Sequence, residues 1–212
     1  MKKHLLLSAL LLTLWIHGCT QPGAQKDQNA KTLGGPCEDC EALGEYGSKK
    51  LSWIDTLPDY NDPGPKMEVS GTIFQRDGKT PATGVILYVY HTDQTGVYPT
   101  KGDETGWAKR HGYIRGWIKT DANGKYKFYT LKPAAYPGRT NPAHIHATVK
   151  EPNLNEYWID EYLFDDDPIL TKHERDAQKK RGGNGILKLT KDANGLLIAH
   201  RDIILGLNIP GY

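Results

Sequence analysis

Residues 113–131 read YIRGWIKTDANGKYKFYTL. Two runs rich in β-branched and aromatic residues flank DANG, in which Asn123-Gly124 tolerates the positive φ of a tight turn. Strand, turn, strand is the reading, and the pattern continues outward in both directions. Toward the N-terminus lie GVILYVYHT (84–92) and MEVSGTIFQ (67–75), separated by Asp77-Gly78. Toward the C-terminus lie HIHATVK (144–150), WIDEYLF (158–164), ILKLT (186–190) and LLIAHRDIIL (196–205), the last preceded by Asn194-Gly195 in a second DANG. Short strands at this spacing predict an all-β fold, an antiparallel β-sandwich of about eight strands with one buried face per layer and tight hairpins at the three turns. The polar stretch 171–181 reads as a short surface helix. Residues 93–112 lack alternation, and a loop that long inside a compact domain is either functional or disordered.

The 212-residue chain carries 27 Lys+Arg against 25 Asp+Glu. Two of those lysines fall in an apolar leader, so the remainder is balanced and gives no electrostatic reason to expect nucleic acid. Lys2 and Lys3 followed by LLLSALLLTLWI have the charged and apolar regions of a signal peptide, assigned to 1–18. Gly18-Cys19 resembles a bacterial lipobox, which implies lipidation of Cys19, contact with the membrane through that anchor only, and placement on the cell envelope facing the periplasm or outer membrane. An ordinary signal peptide with an incidental cysteine is the alternative. Residues 19–35 read as a flexible linker, 36–66 as an N-terminal extension, and 67–212 as the sandwich domain. In an oxidising compartment, Cys37 and Cys40 in GPCEDCEAL read as a local disulfide. A redox-active pair would need a stabilised thiolate, which Glu38, Asp39 and Glu41 oppose, and a zinc site would need further ligands.

In a strand, residues two apart share a face, so His144 and His146 present their imidazoles side by side. That pattern suits a metal ion, and equally two solvent-facing or hydrogen-bonded histidines. Tyrosine is unusually frequent, twelve against three phenylalanines, and each phenol must be bonded, solvated or used. Tyr136 stands in KPAAYP shortly before the histidines and Tyr98 further upstream in DQTGVY. Together GVILYVYHTDQTGVYPT, IRGWIKTDANGKYKFYTLKPAAYP, NPAHIH and EYLFDDDPIL resemble, in order and spacing, the signature segments of the intradiol ring-cleavage dioxygenases, the family of catechol, hydroxyquinol and protocatechuate dioxygenases.

The resemblance covers about 84–170. It implies a non-haem Fe(III) held by Tyr98, Tyr136, His144 and His146, with Tyr136 released when substrate binds, and cleavage by O2 of a catecholic ring between its hydroxylated carbons to a muconate-type diacid. The donor chemistry agrees, since phenolates are hard anions suited to a hard trivalent cation, whereas zinc prefers His, Cys or carboxylate. Two departures stand out. The arginine that usually opens the paired-histidine motif is replaced by Asn141, with Arg139 two residues earlier as a substitute or a surface residue. The family's glutamine is replaced by Glu161, whose carboxylate would oppose an electron-rich ring unless protonated or paired. Tyr136, Arg139, Asn141 and Glu161 are the expected catalytic group. Asn141 and Glu161 also motivate the alternative of a non-catalytic module that captures catechols or related phenolics. Arg115 is expected to serve packing or a salt bridge, Trp107 and Trp117 to pack, and Lys101, Arg110 and His111 to meet a substrate carboxylate or form a solvated face. A homo-oligomer is left open.

Overall fold

The computed structural model describes residues 33–138 and 141–212. The signal peptide, Cys19, the linker as far as residue 32, and Arg139 lie outside the described residues. A 3-10 helix, Cys40–Tyr46, leads into β1 (Ile54–Thr56), β2 (Lys66–Phe74) and β3 (Ile86–His91), followed by the one-turn helix α1 (Ala108–His111). Then come β4 (Arg115–Lys119), β5 (Lys125–Leu131), β6 (His144–Lys150), β7 (Tyr157–Trp158), β8 (Tyr162–Phe164) and helix α2 (Lys172–Ala177). The chain closes with β9 (Ile186–Leu187), β10 (Thr190–Lys191), β11 (Leu197–His200) and β12 (Ile203–Ile204). The expected short surface helix is present, trimmed to Lys172–Ala177 and opened by a capping box between Thr171 and Glu174.

Two six-stranded sheets form the sandwich. One runs β1-β5-β2-β11-β10, with β12 also on β2; the other runs β4-β3-β6-β8-β9, with β7 also on β6. The sandwich is therefore as expected, and most long pairings are antiparallel, including β2 with β5 and β3 with both β4 and β6. The sheets are nonetheless mixed, because β1 joins β5, β9 joins β8, and β11 and β12 join β2 in parallel. These partners are reached through long connections, the condition parallel pairing requires. Inward-facing Val69, Leu87, Val89, Phe128, Ile145 and Val149 fill the space between the layers at essentially zero exposure.

The turns behave differently from one another. Asn194-Gly195 joins antiparallel β10 and β11, and Asp77-Gly78 closes a small hairpin in which Gln75 N–H donates to Thr80 O. Asn123-Gly124 is a correction, because β4 and β5 belong to different sheets and this turn arches between layers. Gly124 is pressed against β2, where its carbonyl accepts from Ile73 N–H and an added Cβ would lie 2.5 Å from Ile73 O.

The N-terminal segment is built into both layers. Leu33 and Leu57 join the central core, while Ala42 and Leu43 pack over Tyr88 and Trp117 on the outer face of the second sheet. Trp117 Nε1–H donates to Leu43 O at 2.8 Å, so this tryptophan packs as expected. Arg115 forms a salt bridge with Glu45 at 2.6 Å. No helix among the described residues is long and apolar enough to cross a membrane.

Candidate metal centre and its cavity

Strand β6 carries Ile145, Ala147 and Val149 into the core and turns His144 and His146 to the opposite face. Register then sets the neighbours. Tyr90 of β3 lies directly across from His146, and Leu163 of β8 across from His144. The loop after β3 brings Tyr98 over this face, and the segment after β5 brings Tyr136. Hydrogen bonds fasten the two to each other, from Thr92 Oγ1 to Ala134 O at 2.7 Å and from Gln94 Nε2 to Lys132 O at 2.7 Å. Gly96 makes the close approach feasible, since it has φ of 80° and sits against the carbonyl of Ala135.

Four side-chain atoms converge here. Tyr98 Oη lies 2.6 Å from Tyr136 Oη and 2.7 Å from His146 Nε2. Tyr136 Oη is 3.2 Å from His144 Nε2 and 3.4 Å from His146 Nε2, and the two Nε2 atoms are 3.2 Å apart. With metal–ligand bonds of about 2 Å, donors separated by right or tetrahedral angles lie roughly 2.9–3.4 Å from one another, a spacing met by the three edges among Tyr136 Oη and the two Nε2 atoms, while the two shorter edges at Tyr98 are hydrogen-bond lengths.

The protonation pattern strengthens the fit. His144 Nδ1 is 2.7 Å from Pro142 O, and His146 Nδ1 is 2.9 Å from Glu161 Oε1. A carbonyl and a carboxylate only accept, so both protons sit on Nδ1 and both Nε2 lone pairs face the cluster. Burial keeps the His144 pKa below its ordinary value. Two inward lone pairs and two phenol oxygens leave only two hydroxyl protons among four acceptor atoms. Burial pushes both phenol pKa values up, Tyr98 furthest, so only a strong positive charge at this point would deprotonate them.

Glu161 is half-buried beside the pair. Burial alone would raise its pKa, but the hydrogen bond from His146 and the nearby imidazoles outweigh it and hold the carboxyl below its ordinary value. Of the two states that would relieve its opposition to an electron-rich ring, protonated or paired, the contact with His146 is the paired one. His144, His146 and Glu161 also form a possible two-histidine, one-carboxylate set, with donor atoms within 4.8 Å. Its edges are longer, His144 Nε2 to Glu161 Oε1 being 4.0 Å, and Glu161 meets His146 at Nδ1, away from the Nε2 that faces the tyrosines. The tyrosine-containing set is the tighter one.

Beside the four donors opens a cavity of about 630 Å³, bordered by Tyr98, Tyr136, His146 and Glu161. Its volume lies within the range of small-molecule sites. Asn141 is exposed and borders a separate cavity of about 150 Å³ with His144 and Glu161. Cys37 and Cys40 are disulfide-bonded.

Sequence reasoning missed Tyr90 and gave His111 two alternative places, of which the structure shows the one at the cavity border. Tyr90 is clamped between His146 and His111, with ring centroids 4.4 and 3.8 Å away and planes 17° and 4° apart. His111, expected on a solvated face or against a substrate, is buried; its Nδ1 lies 2.8 Å from Tyr88 Oη and its Nε2 3.3 Å from Asp39 Oδ2. Tyr90 was detectable only as the i+2 partner of Tyr88, and its opposition to His146 depends on a strand register that sequence does not display.

Comparison with known proteins agrees with this construction. The family model described as Dioxygenase matches residues 49–195, over half the chain, and the chain belongs to that family. It is 31% identical over 180 residues to catechol 1,2-dioxygenase 1 of Acinetobacter lwoffii, a match spanning 74% of this chain and 55% of that protein. It is 28% identical to the protocatechuate 3,4-dioxygenase beta chain of Burkholderia cepacia, over 59% of this chain and 58% of that one. The chain spans about half the length of the curated relatives it matches. Among solved structures, the dioxygenase domain of a dioxygenase carbohydrate-binding protein fusion from Streptomyces sp. SirexAA-E superposes with a TM-score of 0.55 at 26% identity, covering 76% of this chain and 94% of that one.

Proposed function

We propose that the protein is a non-haem Fe(III) intradiol dioxygenase that cleaves catecholic rings with O2. The observation that carries this reading is the convergence of Tyr98, Tyr136, His144 and His146 on one point, with both imidazole tautomers fixed so that their lone pairs face it. A ferric ion held there would supply the positive charge that stabilises a doubly deprotonated catechol and draws ring electron density into reaction with O2.

The chain's own residues supply the rest. Tyr136 Oη stands at the cavity edge on a loop, where, deprotonated by a bound cation, it would accept one catechol proton as the substrate enters, the second passing to a hydroxide from solvent. Tyr98 is tied to His146, and Glu161 fixes the orientation of that ring by accepting its Nδ1 proton. The leader and Cys19 support a lipid-anchored location on the bacterial cell envelope.

The test uses iron-reconstituted protein lacking residues 1–19. Phenolate-to-iron charge transfer should colour it red to purple, catechol added without oxygen should shift the band, and admitting oxygen should give a muconate. A band that shifts with no product would favour the catechol-capturing module. A colourless protein after reconstitution would overturn the iron-enzyme reading.

A further inference from the structure

Resting on the ring-cleaving assignment of this site, the charged residues that border the cavity narrow the choice of ring. Part of that border comes from the N-terminal segment. Between disulfide-bonded Cys37 and Cys40, Glu38 and Asp39 reach the cavity, and Asp39 adopts φ of 67°, in the left-handed region that aspartate and asparagine tolerate best. The bordering carboxylates are Glu38, Asp39, Asp160 and Glu161, against the two cations Arg110 and Lys179.

The cations are already engaged. Arg110 Nη1 donates to Asp39 Oδ1 at 2.9 Å and Nη2 to Glu38 Oε1 at 2.8 Å, so both ends of its fork are occupied. The Lys179 ammonium is held over the Trp158 ring at 5.2 Å. His111 adds little compensating charge at neutral pH, because burial holds its pKa below the ordinary value and its Nε2 already faces Asp39. Among the described residues that border the cavity, a ring bearing a carboxylate would meet an excess of negative charge and no arginine free of a carboxylate partner.

We infer that Glu38 and Asp39, presented by the disulfide-tied loop, make this a site for catechols with neutral or cationic ring substituents, and that catechol carboxylates are rejected. Rejection arises from like charges gathered at the solvent-exposed rim of the cavity, a salt-sensitive, repulsive means of specificity. Neutralising either carboxylate removes repulsion and loosens the clamp on Arg110.

The experiment titrates catechol, protocatechuate and 4-(2-aminoethyl)catechol into the iron-loaded protein by calorimetry without oxygen, so that binding is read independently of turnover. Protocatechuate should bind about tenfold more weakly than catechol, the amine at least as tightly as catechol, and the gap should shrink at high salt. Glu38→Gln, on an exposed side chain, and Asp39→Asn, which keeps both the backbone preference and a bond to Arg110, should each narrow the ratio about threefold. Catechol bound and cleaved with protocatechuate bound equally well would overturn this inference alone, and loss of that protocatechuate binding in Lys179→Ala would name the cation responsible. A ratio unmoved in both carboxylate variants would overturn the role of the loop. Failure of every catechol to bind would overturn the metal-site assignment and this inference with it.

Discussion

At the residue scale, His146 carries the most constraints: Tyr98 meets its Nε2, Glu161 its Nδ1, and Tyr90 its face. Removing a donor differs from removing its support. His146→Ala and Tyr98→Phe are expected to lose iron outright, whereas Tyr136→Phe retains part of the iron and loses turnover, as metal analysis beside oxygen uptake would show. Glu161→Gln keeps an acceptor for Nδ1 and should stay close to wild type in iron content, while Glu161→Ala should weaken iron binding about 10–100-fold. The histidine pair was legible from strand alternation alone. The two tyrosines sit on segments without periodicity and are reached only through the family resemblance; the structure brings their hydroxyls together beside the histidines.

At the scale of elements, the decisive join is between the two loops that bring the tyrosines together. Gly96 buries its backbone against Ala135, and an added Cβ would approach Tyr136 Cα to 3.2 Å in a conformation that side chains rarely adopt. Gly96→Ala should therefore cost roughly 1–3 kcal/mol of stability. It should also displace Tyr136 from Tyr98, lowering iron content more than a comparable substitution at exposed Gly102; thermal unfolding with iron analysis checks both effects. Strand existence was readable in the sequence because alternation reports burial. Sheet membership was not, because a tight turn looks the same whether it closes a hairpin or, as at Gly124, crosses between layers. Strand β1 was missed for another reason: three residues, IDT, with exposed ends carry no alternation to detect.

At the scale of the whole molecule, buried neutral histidines tie stability to pH. Burial holds the His111 and His144 pKa values below the ordinary 6.5, so near that pH the unfolded chain takes up protons that the folded chain refuses. Stability is then undiminished above about pH 6.5 and falls as the pH drops below it, by at most about 1.4 kcal/mol per pH unit for each such histidine. Melting curves of metal-free protein between about pH 7.5 and 5 should show this decline, and His111→Gln should flatten it.

The parallel pairing of β1 with β5 has a consequence for solubility. Ile54, Asp55 and Thr56 occupy the outer rim of the first sheet and shield the backbone of Lys127, Phe128 and Tyr129. A polypeptide trimmed to begin at Met67 would leave that rim bare, with unsatisfied amides and carbonyls free to template a neighbouring molecule. The N-terminal stretch that borders the cavity through Glu38 and Asp39 thus also guards the molecule, through Ile54–Thr56, against sticking to its own kind.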